Sequence, residues 1–306
     1  DKVFADYPFM FFDSGGIKIG VIGVITAATP GLTFPGNTRG VTFRSPVETL
    51  KKLAPAVDRK AALVVLVSHL GIDEDRKVAK SVKGIDLIVG GHSHSYLRSP
   101  EKVGKTWLVQ AGEQGRHLGV VRIKMAPNSE KILSLQGKLM RMGPEVEDEP
   151  GMAEAIRREE ALLPIDPDEQ LGRVTAPMNR DRDVAPWVAS LLRQHVRAEI
   201  GMVNKGGIRA GLQPGPITYR EIFGIMPFDN RVALAKIPGD KIAIWLNRGQ
   251  VILHKKMKIN QSRIYSVGTM DFVTKLHRLP EKDVKTTDTL VRDLMLEYLK
   301  THGVLP

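Results

Sequence analysis

The sequence contains no cysteine. Disulfides, zinc–thiolate centres and cysteine nucleophiles are therefore excluded, and any metal must be held by nitrogen and oxygen from His, Asp, Glu, Asn or Gln. Aromatic residues are scarce, at 6% of 306 residues. With few rings to stack on bases and no RNP, zinc-finger or arginine-rich pattern, nucleic acid is the weaker candidate partner. No apolar run reaches the roughly eighteen residues of a membrane-spanning helix. The start at Asp1 shows neither the charged nor the apolar region of a signal peptide. Whether the chain is a processed product or a fragment stays open at this point.

Acidic residues are the minority, 34 against 45 basic ones, for a net charge of +11. They are also concentrated: between Glu145 and Glu169 stand ten acids and two bases. The rest of the chain is correspondingly basic and favours anionic partners, phosphorylated small molecules among them.

The hydrophobic pattern predicts an α/β protein of two domains. Ile17–Ile25 and Ala61–Val67 are continuous apolar runs rich in β-branched residues, as expected of strands buried on both faces. Ile85–Val89 reads the same way. Between them, Ser45 and Glu48 form a capping box with Pro46 at the first helical position, and Asp73–Val82 reads as a short charged helix. This alternation implies right-handed crossovers and a largely parallel sheet. Thr106–Ala111 and Leu118–Met125 are expected to complete that layer. The boundaries drawn are residues 1–143, an acidic helical linker at 144–172 containing a helix over Met152–Leu163, and a second domain at 173–306. In the second domain, helices are expected at Val188–Val196, at a capping box from Thr218 to Glu221, over Asp240–Leu253, and over Asp288–Lys300 with Asp288 as cap. Gly201–Val203 is expected as a short strand.

Two histidine motifs fall where buried strands end: Ser68-His69-Leu70-Gly71 and Gly90-Gly91-His92-Ser93-His94. Ligands of open parallel sheets gather at the carboxyl ends of strands. His69, His92 and His94 are thus candidate ligands for Zn²⁺, Mn²⁺ or Fe²⁺. Ordinary hydrogen-bonded loop histidines are the alternative, and the other five histidines stay with it. No Asp-x-His, Gly-Asp or Gly-Asn-His pattern supplies the bridging carboxylate of a two-metal site. Asp13 sits in a hairpin signal, and Asp73 and Asp75 read as solvated residues of a charged helical face. The second domain offers Asn204-Lys205-Gly206-Gly207-Ile208-Arg209, a glycine turn followed by a planar guanidinium fork, suited to phosphate or carboxylate. Phe228 and Phe272 are candidates to sandwich a flat base, or else core aromatics.

Taken together, GGIKIGVIG (15–23), VSHLG (67–71), GIDLIVGGHSH (84–94), NKGGIR (204–209), GPITYREIFGIMPFDN (215–230) and YSVGTMDF (265–272) resemble the 5′-nucleotidase / UDP-sugar hydrolase family over nearly the whole chain. The resemblance implies a partial calcineurin-like metallophosphoesterase sandwich followed by the family's C-terminal α/β domain. It implies a metal-dependent phosphohydrolase that cleaves nucleotide phosphate esters or anhydrides with two divalent ions (Zn, Mn or Co), acting in the periplasm or outside the cell. Residue by residue, it makes His69, His92 and His94 metal ligands. It makes Asn204, Gly207 and Arg209 substrate-binding residues, Phe228 and Phe272 the base-stacking pair, and Asn230 a nearby polar contact. It supplies no catalytic residue within these 306 residues: the family's Asp-x-His, Gly-Asp and Gly-Asn-His motifs would lie before Asp1. Little or no hydrolysis is therefore expected of the chain alone, along with an uncovered sheet face for a missing segment or partner chain. Further departures are Lys205 in place of a small residue, and Lys275–Leu279 in place of the Gly-Gly-Asp-Gly that grips a ribose. Arg180 or Arg182 is left to stand in for a substrate arginine. A non-catalytic nucleotide or anion binder is the alternative, as is a family hydrolase for a cyclic nucleotide, nucleotide sugar or thiosulfonate.

Overall fold

The computed structural model describes residues 7–34, 36–126 and 132–305, and the chain divides into two compact units, Asp1–Asp148 and Glu149–Pro306. No helix among the described residues is long and apolar enough to cross a membrane.

The first unit is built on β1 (Phe9–Ser14), β2 (Ile17–Ile25), α1 (Pro46–Asp58), β3 (Leu63–His69), α2 (Ile72–Ser81), β4 (Leu87–Val89), β5 (Glu101–Val103), β6 (Thr106–Val109), β7 (His117–Met125) and β8 (Ile132–Arg141). Six strands form one sheet in the order β1-β2-β3-β4-β6-β5. The four strands from β2 to β6 run parallel, and β1 and β5 are antiparallel edges. Register explains which face is buried. Ile22, Leu66, Ile88 and Leu108 lie side by side across four strands and are all buried, forming one core with Leu50, Ala54 and Val57 of α1 and Val78 of α2. One residue along, the row Gly23, Val67, Val89, Val109 points the other way. There Val67 is 50% exposed, and Met10, Phe12, Ile25 and Val89 are exposed too. One face of this sheet is therefore largely uncovered.

Strand β7 does not join that sheet as the sequence pattern suggested. It pairs instead with β8 in a separate two-stranded ribbon, with the Tyr96 and His117 rings 4.7 Å apart, centroid to centroid, and tilted at 60°. Asp13 is in the β1–β2 hairpin, as expected.

The second unit carries α3 (Pro150–Glu160), β9 (Gln170–Val174), a π-helical turn (Arg180–Val184), α4 (Ala185–His195), β10 (Ile200–Asn204), β11 (Gly215–Thr218), α5 (Tyr219–Ile225), β12 (Arg231–Pro238), α6 (Gly239–Asn247), β13 (Val251–Leu253), β14 (Ile264–Met270), α7 (Asp271–Leu276), β15 (Val284–Leu290), α8 (Val291–His302) and β16 (Val304–Leu305). A five-stranded sheet runs β13-β10-β14-β12-β15, and a three-stranded one runs β11-β9-β16. β10 and β14 are parallel, with Gly201 opposite Gly268. Helix α4 lies directly over this glycine pair. A Cβ at Gly268 would stand 2.6 Å from the Leu192 carbonyl oxygen, and one at Gly201 would stand 2.6 Å from the Ala189 carbonyl carbon.

Three element boundaries differ from the sequence reading. The expected helix over Asp240–Leu253 stops at Asn247, because Gly249 turns the chain in the left-handed region (φ 63°) into β13. Asp288 is in strand β15, and Leu290 precedes α8. Strand β9 begins at Gln170, inside the stretch read as linker.

Candidate functional site

The first constellation grows from the ends of β3 and β4. His69 is the last residue of β3, and the imidazoles of His69 and His92 lie 5.1 Å apart, centroid to centroid, at 57°. His92 and His94 both sit at positive φ (70° and 55°), a conformation that non-glycine residues adopt at some energetic cost. His94 pairs with a carboxylate: its Nδ1 lies 2.6 Å from Glu113 Oε2. Glu113 escaped the sequence reading because it belongs to a turn after β6, far along the chain.

A polar network centred on buried Gln110 holds the two histidine turns. Gln110 Nε2 donates to the Gly91 carbonyl (3.0 Å), while its Oε1 accepts from Ser93 Oγ (2.9 Å) and from the Ser95 amide. Ser93 Oγ in turn accepts from the Ile72 amide (3.0 Å), which ties the second turn to the first. Asp75 was expected to be solvated; it is 1% exposed and accepts a hydrogen bond from Ser68. Its helix places it inward, against Gly90, where an added Cβ would stand 2.6 Å from Asp75 Oδ2. Burial pushes the Asp75 carboxyl above the usual carboxylate range; the Ser68 hydrogen bond opposes this, and the charge of Glu74 adds to it. Asp73 stays on the exposed side of α2. Burial also holds His92 below the usual imidazole range, with the charges of His69 and His94 adding to the effect. A neutral imidazole is what metal ligation requires.

These residues fit one side of a metal site. The donors are imidazole nitrogens, and the absence of a side chain at Gly91 leaves room beside His69 Nδ1, which an added Cβ would approach to 3.2 Å. They do not make a complete ligand set. Among the described residues no group of three His, Asp or Glu side chains is placed to hold an ion.

The second constellation converges on Met270 at the end of β14. Asn204 ends β10, and the tight turn Lys205–Gly207 follows. A Cβ at Gly207 would stand 2.9 Å from Met270 Cε and 2.6 Å from Asn204 Oδ1, a buried oxygen with no described hydrogen-bond partner. Asn230 is 3% exposed, and its amide donates to the sulfurs of Met270 (3.5 Å) and Met226 (3.8 Å). It thus ties the segment that carries Phe228, of which it is part, to the end of β14. The Arg209 amide donates to the Ile225 carbonyl (2.9 Å), at the end of α5, and the Arg209 side chain is exposed. Phe228 follows α5 and is 43% exposed; Phe272, on α7 two residues after Met270, is half-buried. The Arg231 amide donates to Asp271 Oδ1 (3.0 Å), which joins the two phenylalanine segments. The structure thus brings the Asn204–Gly207 turn, Asn230 and the backbones flanking both phenylalanines to one place.

Beside the turn, Lys205 Nζ lies 3.3 Å from Asp181 Oδ2, and Arg180 Nε lies 2.7 Å from Asp181 Oδ1. The Arg180 hydrogen bond holds the Asp181 carboxyl below its usual range, and Lys205 contributes. Arg182 is exposed on the same π-helical turn, whose amides at Asp181 and Arg182 are capped by Asn179 Oδ1.

Comparison with known proteins places this arrangement. Residues 168–299 match the family described as 5′-nucleotidase, C-terminal domain. The chain is 26% identical over 294 residues to the 5′-nucleotidase of Vibrio cholerae, covering 78% of this chain and 53% of that protein. It is 27% identical over 263 residues to the trifunctional nucleotide phosphoesterase protein YfkN of Bacillus subtilis, covering 79% of this chain and 18% of that protein. Among solved structures, the 5′-nucleotidase precursor from Thermus thermophilus superposes with a TM-score of 0.83 at 20% identity, covering 98% of this chain and 72% of that one. The chain therefore spans about half, or less, of the length of these curated relatives. It is an α/β protein with the two-domain fold of 5′-nucleotidases, similar in sequence to 5′-nucleotidases over most of its length and matching the 5′-nucleotidase C-terminal domain in its second unit.

Proposed function

We propose that the chain is part of a metal-dependent phosphohydrolase for nucleotide phosphate esters or anhydrides, and that residues 173–306 bind the substrate. The observation that carries this reading is the convergence around Met270. An anion-suited glycine turn is bound there to two segments that each present a phenylalanine. Arg209 offers a planar fork to a phosphate. Asn204 and Gly207 shape the turn, and buried Asn230 anchors the Phe228 segment to Met270. Phe228 and Phe272 offer ring faces to a base, which every nucleobase can stack on.

In this reading His69, His92 and His94 contribute imidazoles to ion binding, together with oxygen ligands beyond those of the described residues. Divalent ions such as Zn²⁺, Mn²⁺ or Co²⁺ would activate water and polarise a phosphoryl oxygen. The 306 residues by themselves release little or no phosphate. Residues 144–172 act as the connector, and a periplasmic or extracellular location follows from kinship with 5′-nucleotidases.

The test is phosphate release from 5′-AMP, UDP-glucose and an aryl phosphate with each of the three ions, for the chain and its His92→Ala variant, beside calorimetric titration with 5′-AMP. Binding without release is the expected result. Release abolished by His92→Ala would overturn the inactivity of the chain, and absence of nucleotide binding would overturn the substrate-domain reading.

A further inference from the structure

Arg292, the second residue of α8, is a charged side chain only 8% exposed. Both terminal nitrogens of its guanidinium bond to one short segment, the connection from α5 to β12. Nη1 donates to the carbonyls of Met226 (3.1 Å) and Phe228 (3.4 Å), and Nη2 donates to Asp229 Oδ1 (2.6 Å). The guanidinium carbon stands 3.9 Å from the centre of the Phe223 ring. Carbonyls at a helix C-terminus have no partner within the helix, and Met226 is the residue that ends α5. The neighbouring Val291 amide donates to the Asn230 carbonyl (2.9 Å). The start of α8 therefore fixes the backbone at Met226, Phe228 and Asn230, yet leaves the Phe228 ring exposed.

An exposed aromatic ring on a loop ordinarily loses freedom when a ligand orders it, and that loss weakens binding. Here the loop is ordered beforehand by a planar donor set that an ammonium cannot reproduce. Two carbonyls and a carboxylate are met in one plane while the face lies on a ring. We propose that Arg292 is a positioning residue for base recognition: it holds the Phe228 backbone so that the ring is presented in its stacking pose. The proposal rests on the reading of Phe228 as a base-stacking residue.

Calorimetric titration with 5′-AMP and with ribose 5-phosphate separates base-dependent from phosphate-dependent affinity. The variants are Phe228→Ala, Arg292→Lys, their combination, and Asp229→Ala, which removes one of the arginine's partners on an exposed side chain. Base stacking measured by alanine substitution predicts that Phe228→Ala weakens 5′-AMP by about 5- to 150-fold. Ribose 5-phosphate should be unchanged within about twofold. Arg292→Lys is expected to weaken 5′-AMP by at least about fivefold with the same selectivity, and to add nothing further in the Phe228→Ala background, as coupled residues do. Selectivity lost in Phe228→Ala but kept in Arg292→Lys overturns the positioning role alone. No effect of Phe228→Ala overturns the stacking reading and this proposal with it. Equal weakening of both ligands by Arg292→Lys shows a general structural role and also overturns it. If Arg292→Lys does not fold, Asp229→Ala decides: a fall of about twofold or more in the 5′-AMP to ribose 5-phosphate ratio supports the proposal, and an unchanged ratio refutes it.

Discussion

Substituting Gly268→Ala adds one methyl group where helix α4 rests on the sheet. The new carbon would meet the Leu192 carbonyl oxygen at 2.6 Å and its carbonyl carbon at 2.8 Å. Favourable contact between carbons needs about 3.5–4.0 Å. Helix α4 must therefore lift by roughly 1 Å, because backbone atoms cannot rotate away as a side chain would. Overpacking of a well-filled core typically costs about 1–3 kcal/mol. A rigid backbone neighbour puts this site at the upper end, near 3 kcal/mol. At about 2–4 °C per kcal/mol for a unit of this size, the expected loss is roughly 6–12 °C in the melting temperature of the second unit. Gly201→Ala meets the same helix at Ala189 and at Arg193 Cβ (3.0 Å), so it should destabilise at least as much. One lift relieves both collisions. The double variant should consequently cost clearly less than the two singles added together, a coupling that independent sites lack. The assay is thermal and urea unfolding followed by the fluorescence of Trp187 and Trp245 in a Trp107→Phe background. Either single variant within about 0.5 kcal/mol of the parent, or strict additivity in the double, would refute the argument.

Other outcomes follow from single contacts. Thr218→Ala removes the capping box with Glu221 at the start of α5 and should cost about 1 kcal/mol in urea unfolding. Gln110→Leu strands the half-buried Gly91 carbonyl and Ser95 amide. It should lower the stability of the first unit by about 1–3 kcal/mol and shift the proton resonances of both His92 and His94. Asp181 has a folded pKa depressed chiefly by Arg180, so its stabilising contribution is complete above the unfolded value of about 3.9 and is lost as pH falls through the depressed value. Asp181→Asn should flatten stability against pH in that acid range and leave the curve above about pH 5 unchanged in shape, a comparison made by melting at stepped pH.

Much of this architecture was legible because a continuous run of β-branched apolar residues marks a strand, even though one face of these strands proves uncovered rather than buried as expected. The runs Ile17–Ile25 and Ala61–Val67 predicted β2 and β3, and with them the strand end that carries His69. The capping box at Thr218 and the side-chain cap at Ser45, where Glu48 pairs with Lys51 instead of closing the expected box, reported helix starts for the same reason: their hydrogen bonds are local. What escaped was decided by distant partners. The burial of Asp75 depends on Ser68 and Gly90 in other elements, while its own helix presents Asp73, Glu74 and Asp75 alike as surface acids. The pairing of β7 with β8 depends on a second ribbon that no period-two pattern assigns to a sheet. Gly249 was the one available sign that the apolar stretch Ile242–Leu253 breaks into helix and strand. Likewise Glu113 and Arg292 reach their partners from remote turns and helices, so neither spacing nor composition singles them out.

The uncovered face of the six-stranded sheet has a calorimetric consequence. Heat-capacity change on unfolding reports apolar surface newly given to water, about 0.45 cal/K/mol per Å². Val67, Val89, Ile25, Met10 and Phe12 already give much of theirs while folded. The first unit should therefore show a smaller heat-capacity increment and a shallower urea slope per residue than the second, whose sheets enclose a larger buried cluster. Two transitions of unlike steepness are the signature to expect. Any molecule or segment that covers the face would announce itself by steepening the first, before its binding site was known.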